Sequence, residues 1–519
     1  MSKGKPFMNP HHRAFGASLG GLFFFVGILA TYAFWLNQGH WIYPLDDTYI
    51  HLSIARHLAE FGNWGVRADV FASASSSPLY TLLLGSMIGL FGNQAIWAFL
   101  LNLLAAAGLL YWWRNRFAEW GLKPKHALGL SVGLWLLTPL PWLILVSMET
   151  VLQIWIGFAF LWQAVRYHSD EPRYYAWKLF FLALLTSAVR YEGWFLIVAA
   201  GLILGWEGRF KRVALMAGGG LASTLGFGLY SLSQGGTFVP LSVLIKSHKP
   251  GFSVVEWLQW LQSALTRVYE NAFILILLLL LVAMLLREVQ QDRGLRNPAG
   301  RFGLAVLIAL GLHIMASDIA GARYASYLVA LGFFALFFFL RQHPLSFRFQ
   351  EMKPLARFWL LLLISLIALP FLLRMGYFTS HYPRATHNIY EQQFQMARFL
   401  QKHYPEGRIA ANDIGAITYF NEIQLTDLVA IGDQEIAQLR RTGQYTPEKV
   451  GLIWEQRQPE MAVVHDVWVG FLIPPDWHRA GSWTIDNNFI CADPTVTFYA
   501  PDSLTAAELG RKLEAFSRP

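Results

Sequence analysis

Charge is scarce in this sequence, cysteine is almost absent, and metal-binding spacing is missing. Only 14% of the 519 residues are Asp, Glu, Lys or Arg, against 55% apolar. A soluble domain of this length has no interior large enough to hide that much apolar surface, so most of it faces lipid or other helices. One cysteine, Cys491, excludes an intramolecular disulfide and a cysteine-based zinc site. The 15 histidines show no His-Glu-x-x-His or other close ligand spacing. A Walker loop and a dinucleotide fingerprint are also lacking, which argues against ATP or a nucleotide sugar as a direct donor. There is no internal repeat, and low complexity is confined to Ser73–Ser77.

The formal net charge of +8 does not point to nucleic acid. The basic residues fall in short clusters between apolar runs, as in loops that stay in the cytoplasm. Lys3, Lys5 and Arg13 precede an apolar run too long for a signal-peptide core, so the first helix is expected to be retained. Roughly 20 apolar residues span a bilayer, and somewhat shorter stretches suffice. On that measure the candidate spans are 16–36, 95–113, 127–146, 151–166, 176–189, 193–207, 212–232, 271–286, 302–318, 324–340 and 357–375.

A further apolar run, 78–92, is settled by charge. If it does not cross, the basic loops around Arg114–Lys125, Arg166–Lys178, Arg209–Arg212, Arg287–Arg301 and Arg341–Arg357 all fall inside. If it crosses, the first of them moves outside and everything after it inverts. The expected chain is therefore a polytopic α-helical membrane protein, residues 1–377. It has about 11 spans, a re-entrant or juxtamembrane helix and a first outer loop at 37–94. The N-terminus is expected in the cytoplasm. From residue 378 to 519 the chain turns polar and alternates helix and strand signals, which predicts a soluble extracytoplasmic α/β domain.

Every motif with chemical promise falls in a segment expected outside. In Pro44-Leu-Asp46-Asp47-Thr-Tyr49, continuing to Gly62, the residues Ile50, Ile54, Leu58 and Phe61 recur at helical spacing. That pattern predicts an amphipathic helix on the outer membrane surface, stopped by Gly62. Two acids stand at its N-terminal edge, although Asp47 also suits a plain helix cap. Glu149 begins a span and is either a second acid in the same cavity or a charge placed well against the helix dipole. Arg190 and Glu192 read as an interfacial ion pair or as part of a substrate site. Lys246 meets either a phosphate or lipid headgroups. Arg323 is a phosphate candidate or a snorkelling side chain. Arg56 and His57 share the first outer helix and can be its solvated face. Asp413 and Asp427 read as turn residues.

Taken in order, these pieces resemble the GT-C glycosyltransferases, nearest to the bacterial arabinofuranosyltransferase-like branch. More distantly they resemble the protein O-mannosyltransferases and the lipid A aminoarabinose transferases. The acidic pair with Tyr49 and Ala55-Arg56 is similar to the family's first outer loop. Ser76-Ser77-Pro78-Leu79-Tyr80 resembles that branch's Thr-Ser-Pro-Leu-Trp, and Ser147-Met148-Glu149-Thr150 its Gly-Met-Glu-Thr. Arg190-Tyr191-Glu192-Gly193 resembles Arg-Pro-Glu-Gly, and Pro240 to Lys246 resembles a Pro-Asn-Thr…Lys segment. Asp413-Ile414-Gly415-Ala416-Ile417 with Leu425-Thr426-Asp427 is similar to the branch's outer domain. The departures are Tyr191 for Pro, Ser147 for Gly, and Leu241-Ser242 for Asn-Thr.

The resemblance implies an inverting transfer of a sugar, arabinofuranose in the nearest branch, from a polyprenyl-phosphate donor. The acceptor would be an envelope glycan, lipid or glycoprotein at the outer side of the inner membrane. It implies Asp46 as the base, with Asp47 orienting it, binding a sugar hydroxyl or holding a metal. Phosphate is already a good leaving group, so the reaction needs one carboxylate near the acceptor hydroxyl and cations for the departing anion. Candidates for the latter are Arg56, Arg190, Lys246 and Arg323, with Glu192 beside the substrate. Asp46, Asp47 and Glu149 are candidate oxygen ligands for a divalent ion, Mg or Mn. A lipid or sugar flippase is the alternative. Transporters usually bind at mid-membrane between repeated halves, and here the acids lie at one surface. A scaffold without activity is a third reading, which the intact acidic motifs disfavour.

Overall fold

The computed structural model describes residues 10–166, 173–246, 253–290, 297–319, 321, 323–343 and 352–516. Its larger part is a helical bundle. The first helices are α1 (Pro10–Leu36), α2 (Asp46–Phe61), α3 (Pro78–Phe91), α4 (Ile96–Glu119), α5 (Pro124–Leu137) and α6 (Leu140–Val146). Next come α7 (Thr150–Val165), α8 (Arg173–Val189), α9 (Gly193–Trp206), α10 (Phe210–Ser233) and α11 (Leu241–Lys246). The bundle closes with α12 (Val254–Glu270), α13 (Ala272–Gln290), α14 (Pro298–Ala316), α15 (Ser326–Gln342) and α16 (Pro354–Ser380). Among the described residues, six of these helices are alone long and apolar enough to cross a membrane. The α5–α6 pair, bent by 56°, makes a seventh candidate, and α7, α8, α9 and α15 are shorter apolar helices.

Basic residues at the loops after α4, α7, α9, α13 and α15 meet at one end of the bundle. Arg166 and Arg116 share Glu119 at 3.0 and 2.6 Å, Arg301 pairs with Glu207 at 2.7 Å, and Arg341 donates to the Trp120 carbonyl at 2.9 Å. At the opposite end, α3 both begins and finishes. Ser77, just before it, donates to the Val189 carbonyl at 2.6 Å, and beyond it the Ala95 carbonyl accepts from Tyr43 at 2.5 Å. With 14 residues α3 rises about 21 Å, short of a ~30 Å hydrocarbon core.

A lobe sits on that opposite end. It contains α17 (Tyr382–Ile389), a π-helical turn, α18 (Gln395–His403), α19 (Gly415–Tyr419), α20 (Gln434–Arg441), α21 (Pro447–Arg457), α22 (Asp466–Val469) and α23 (Ser503–Ala515). Its strands are β1 (Arg408–Ala411), β2 (Gln424–Asp427), β3 (Met461–Val464), β4 (His478–Thr484) and β5 (Thr495–Ala500), in the order β2-β1-β3-β5-β4. The first three are parallel, with Ile409 opposite both Leu425 and Met461. The last two are antiparallel additions, with Val463 opposite Phe498. β3 is buried along its whole length, as a central strand covered on both faces should be. Phe399 of α18 packs its ring against Trp483 and Phe498 at 5.5 and 5.9 Å.

One expectation fails here. α2 has the bounds and the Gly62 stop that its sequence predicts, with Gly62 at φ +71°. It does not lie on a lipid surface, however, because residues 48–57 are all buried between α3 and α19. Its polar side is covered by protein: Thr48 donates to the Val146 carbonyl at 2.9 Å and Arg56 meets Glu422 at 2.6 Å. Neither aspartate caps the helix, whose N-cap residue is Leu45.

Candidate active site

The first turn of α2 turns its two acids in different directions. Successive helical residues point about 100° apart, so only one of them faces the bundle. Asp47 does, and lines a cavity of about 580 Å³ together with His51, Glu149, Arg190, Glu192, Arg323 and Tyr324. The lobe closes the cavity through Ile431.

Each charged group in the cavity is set by a helix end. Glu149 stands just before α7 and is fully buried. The turn that aims it passes through Ser147 at φ +56°, a left-handed conformation that costs a non-glycine residue roughly 1–2 kcal/mol. Tyr80 holds that turn by donating to the Ser147 carbonyl at 2.6 Å, and Asn102 in turn donates to Tyr80 at 3.0 Å. Arg190 lies in the break between α8 and α9. It reaches Glu149 at 2.5 Å and clasps Glu192 with two N–H groups, at 3.0 and 2.6 Å. Gly193 follows because a Cβ there would strike the Thr186 carbonyl. Arg323, before α15, pairs with Asp47 and donates to the Tyr324 hydroxyl at 2.8 Å. The Tyr324 ring lies under both guanidinium groups, at 4.8 Å from Arg323 and 5.8 Å from Arg190.

These pairings fix the ionisation. Burial pushes the Glu192 carboxyl up, but the charge of Arg190 outweighs it and holds the pKa near 2. Glu149 is likewise held below the ordinary carboxylate value, with Arg190 and then His51 overcoming burial. Burial lowers the His51 pKa, against the pull of Glu149. The ring bridges Glu149 at 3.4 Å and Ser75 at 3.1 Å.

Asp46 does something else. It points away from the cavity into the lobe, where its carboxylate accepts the backbone N–H of Gly415 at 2.6 Å and of Ala416 at 2.8 Å. Gly415 is required there, since a Cβ would run into Asp46 itself. Burial, then the charge of Asp413, raises the Asp46 pKa to about 7, against the pull of the two amides. Asp413 is not a turn residue: it pairs with His465 at 3.1 Å and accepts from Gln393 at 2.7 Å. Asp427 is one, accepting the N–H groups of Val429 and Gly432 at 2.8 and 2.6 Å. That turn precedes Ile431, the lobe's contribution to the cavity wall.

The structure thus brings Asp47, Glu149, Arg190, Glu192 and Arg323 together and leaves Asp46 and Arg56 elsewhere. Arg56 is spent on Glu422 and on the Thr418 and Asn421 carbonyls, at 3.2 and 3.4 Å, so it fastens the lobe to α2. The side chain of Lys246 lies outside the described residues, although Ser242, Val243 and Ile245 of the same helix line the cavity. Asp46, Asp47 and Glu149 do not converge as metal ligands. Among the described residues no three His, Cys, Asp or Glu side chains do, and each of these carboxylates already has its own partners. His51 and Tyr324 were not foreseen as site residues. His51 follows Asp47 by four positions and so shares its helix face.

The fold defines a class: a multi-pass membrane protein with the GT-C glycosyltransferase fold and a small α/β lobe. ArnT from Cupriavidus metallidurans bound to undecaprenyl phosphate aligns over 94% of this chain and 99% of its own, with a TM-score of 0.53 and 13% identity. The same protein in the apo state aligns over the same shares, with a TM-score of 0.53 and 14% identity. The arabinofuranosyltransferase AftD from Mycobacteria aligns over 93% of this chain and 40% of its own at 14% identity, with a TM-score of 0.38. A family model described as a domain of unknown function (DUF8728) matches residues 387–499. No curated protein matches the chain in sequence.

Proposed function

We propose that this protein is an inverting glycosyltransferase that moves a sugar from a polyprenyl phosphate to an acceptor hydroxyl in the cavity under the lobe. The observation that carries the reading is the cavity itself. Asp47, with Glu149, Glu192 and Asp318, and two guanidinium groups, Arg190 and Arg323, line it at an end of the bundle, where a lipid-anchored donor and an aqueous acceptor meet.

In this reading Asp47 is the base, in place of Asp46, whose carboxylate is committed to the lobe. Asp47 takes the proton of the acceptor hydroxyl as that oxygen attacks the anomeric carbon. The new C–O bond forms on the face opposite the phosphate, the old C–O bond breaks, and polyprenyl phosphate leaves as an anion. A guanidinium has five N–H donors, so Arg323 and Arg190 can pair carboxylates and still meet phosphate oxygens. Glu149 and Glu192 hold Arg190 in place, and Tyr324 supports both cations from below. No step runs through a metal ion, because the acids are not arranged to share one. The likeness to ArnT supports the choice of donor, since that protein's structure holds undecaprenyl phosphate.

The basic end of the bundle would face the cytoplasm under the positive-inside rule. In that orientation the cavity and lobe would lie on the periplasmic side of a bacterial inner membrane, where envelope glycans, lipids and glycoproteins are available as acceptors. Arabinofuranose leads the list of sugars through the family resemblance alone.

The test is purified full-length protein in nanodiscs, offered radiolabelled polyprenyl-phosphate pentoses and hexoses with an envelope extract as acceptor. Wild type should transfer at least one sugar. Asp47→Asn should lower the rate about 10²–10⁴-fold, the usual worth of a general base. If Asp47→Asn transfers normally and Asp46→Asn does not, the base is Asp46. Absence of turnover together with lipid or sugar movement across liposomes would favour the flippase.

A further inference from the structure

A large concave surface of the lobe lies at the end of its sheet away from the cavity. The C-terminal ends of β1, β2 and β3 lead to Asp413, Asp427 and His465 on the bundle side. About 13 Å of strand away, at the N-terminal ends of β1 and β3, a groove of about 1010 Å³ opens between α21, α23 and the 474–477 loop. Nothing in the transfer chemistry uses it.

Its wall combines three features. The first is an aromatic platform: Trp477 is half-buried and stands edge-on against the buried Trp454, ring centres 4.7 Å apart, behind the paired prolines Pro474 and Pro475. Tyr404 lines the other side, with the Lys512 ammonium 4.7 Å from its ring. The second is a set of carboxylates, among them the exposed Glu455 and Asp476, which outnumber the cations. The cations are also engaged within the protein: Lys512 pairs with Glu508 at 2.8 Å and Arg408 donates to the Gln458 carbonyl at 2.9 Å. The third is the backing of that platform: Trp454 is only 4% exposed, so the Trp477 ring rests on a buried one.

We propose that this groove binds an oligosaccharide, uncharged or amine-bearing, and that this is the distal part of the acceptor glycan. Sugar rings offer apolar C–H faces to an aromatic platform and hydroxyl donors to carboxylates. The excess of carboxylates repels phosphorylated or sulfated glycans. A proline-rich peptide also packs on aromatic grooves, but it presents mainly carbonyl acceptors, for which carboxylates have no proton to give. Holding a polymer here keeps its reactive end at high local concentration beside the cavity. Only the word acceptor rests on the transferase reading; the binding does not.

The experiment is calorimetric titration of the full-length protein in nanodiscs with mannan, arabinan, glucan and chitosan oligosaccharides, with a polyproline peptide and with a sulfated oligosaccharide. At least one neutral or amine-bearing saccharide should bind. Its affinity should fall about tenfold or more in Trp477→Ala, a loss of about 1.4 kcal/mol or more. Trp477→Phe, which keeps an aromatic face, should restore most of it. Asp47→Asn should bind as wild type does, so failed transfer and failed glycan binding are told apart. The proposal is overturned if no saccharide binds, if Trp477→Ala binds unchanged, or if the peptide or the sulfated sugar binds instead.

Discussion

At the scale of single residues, two neighbouring aspartates face different surroundings, Asp47 the cavity and Asp46 the lobe. Asp47 faces two arginine-centred networks. Asp46 sits among amides and a second acid, Asp413, in a site that resists its charge. That resistance has a sign. Asp46 in the folded protein keeps its proton up to about pH 7, whereas an unfolded Asp releases it near the ordinary value of 3.8. Between those values the folded state binds more protons than the unfolded one, so stability is full below about pH 4 and declines as pH rises toward 7. Asp46→Asn removes this dependence; it keeps an acceptor for one of the two amides, Gly415 or Ala416, and loses the other at every pH, so the slope and not the level of stability is compared. Thermal unfolding followed from pH 4 to 8 should therefore fall more steeply for wild type than for Asp46→Asn. Parallel curves would show that Asp46 does not titrate in this range.

At the scale of elements, the helices were legible wherever an apolar run ended in a charge. Each expected span is occupied by helix, with 127–146 bent between α5 and α6, and the basic clusters do collect at one end. Glu149, Arg190, Glu192 and Arg323 were legible for the same reason: an ionisable residue at the edge of a span has few places to go other than a wet cavity. What could not be read was set by the lobe. The choice between Asp46 and Asp47 turns on about 100° of helix rotation, and the groups that fix it, the Gly415 and Ala416 amides, are 369 and 370 positions away. Arg56 looked like a solvated or phosphate-facing residue because its partner Glu422 is equally remote. The burial of α2 was hidden because periodicity reports one apolar face and says nothing of a polar face that another domain will cover. The contact between α2 and α19 is correspondingly intolerant. Gly415→Ala places a methyl group against Asp46, and overpacking of this kind costs typically 1–3 kcal/mol. Hydrogen exchange should show the loss as faster exchange in both α2 and α19, with α7 and α15 unchanged. Equal exchange in wild type and variant would mean that the two helices do not depend on each other.

At the scale of the whole molecule, everything chemical depends on which side of the membrane the lobe occupies. The bundle separates its charges by end: the clusters of Arg116, Arg166, Arg301 and Arg341 at one, the cavity and the lobe at the other. A membrane holds a polytopic chain so that its basic loops stay in the cytoplasm, and a polyprenyl-linked sugar used for envelope assembly must be met on the other side. The single cysteine makes this directly measurable, because Cys491 is buried and can be replaced by Ala to give a background without thiols. On that background, single cysteines at exposed positions report sidedness: Glu60→Cys and Val467→Cys at the lobe end, Lys123→Cys and Lys211→Cys at the basic end. In intact cells whose outer barrier is opened, a membrane-impermeant maleimide should label the first two and spare the others until the inner membrane is disrupted. If Lys123→Cys and Lys211→Cys are the ones labelled, the cavity opens to the cytoplasm. Asp47 then never meets an envelope acceptor, and the transferase reading falls with its location, whatever the geometry of the acids.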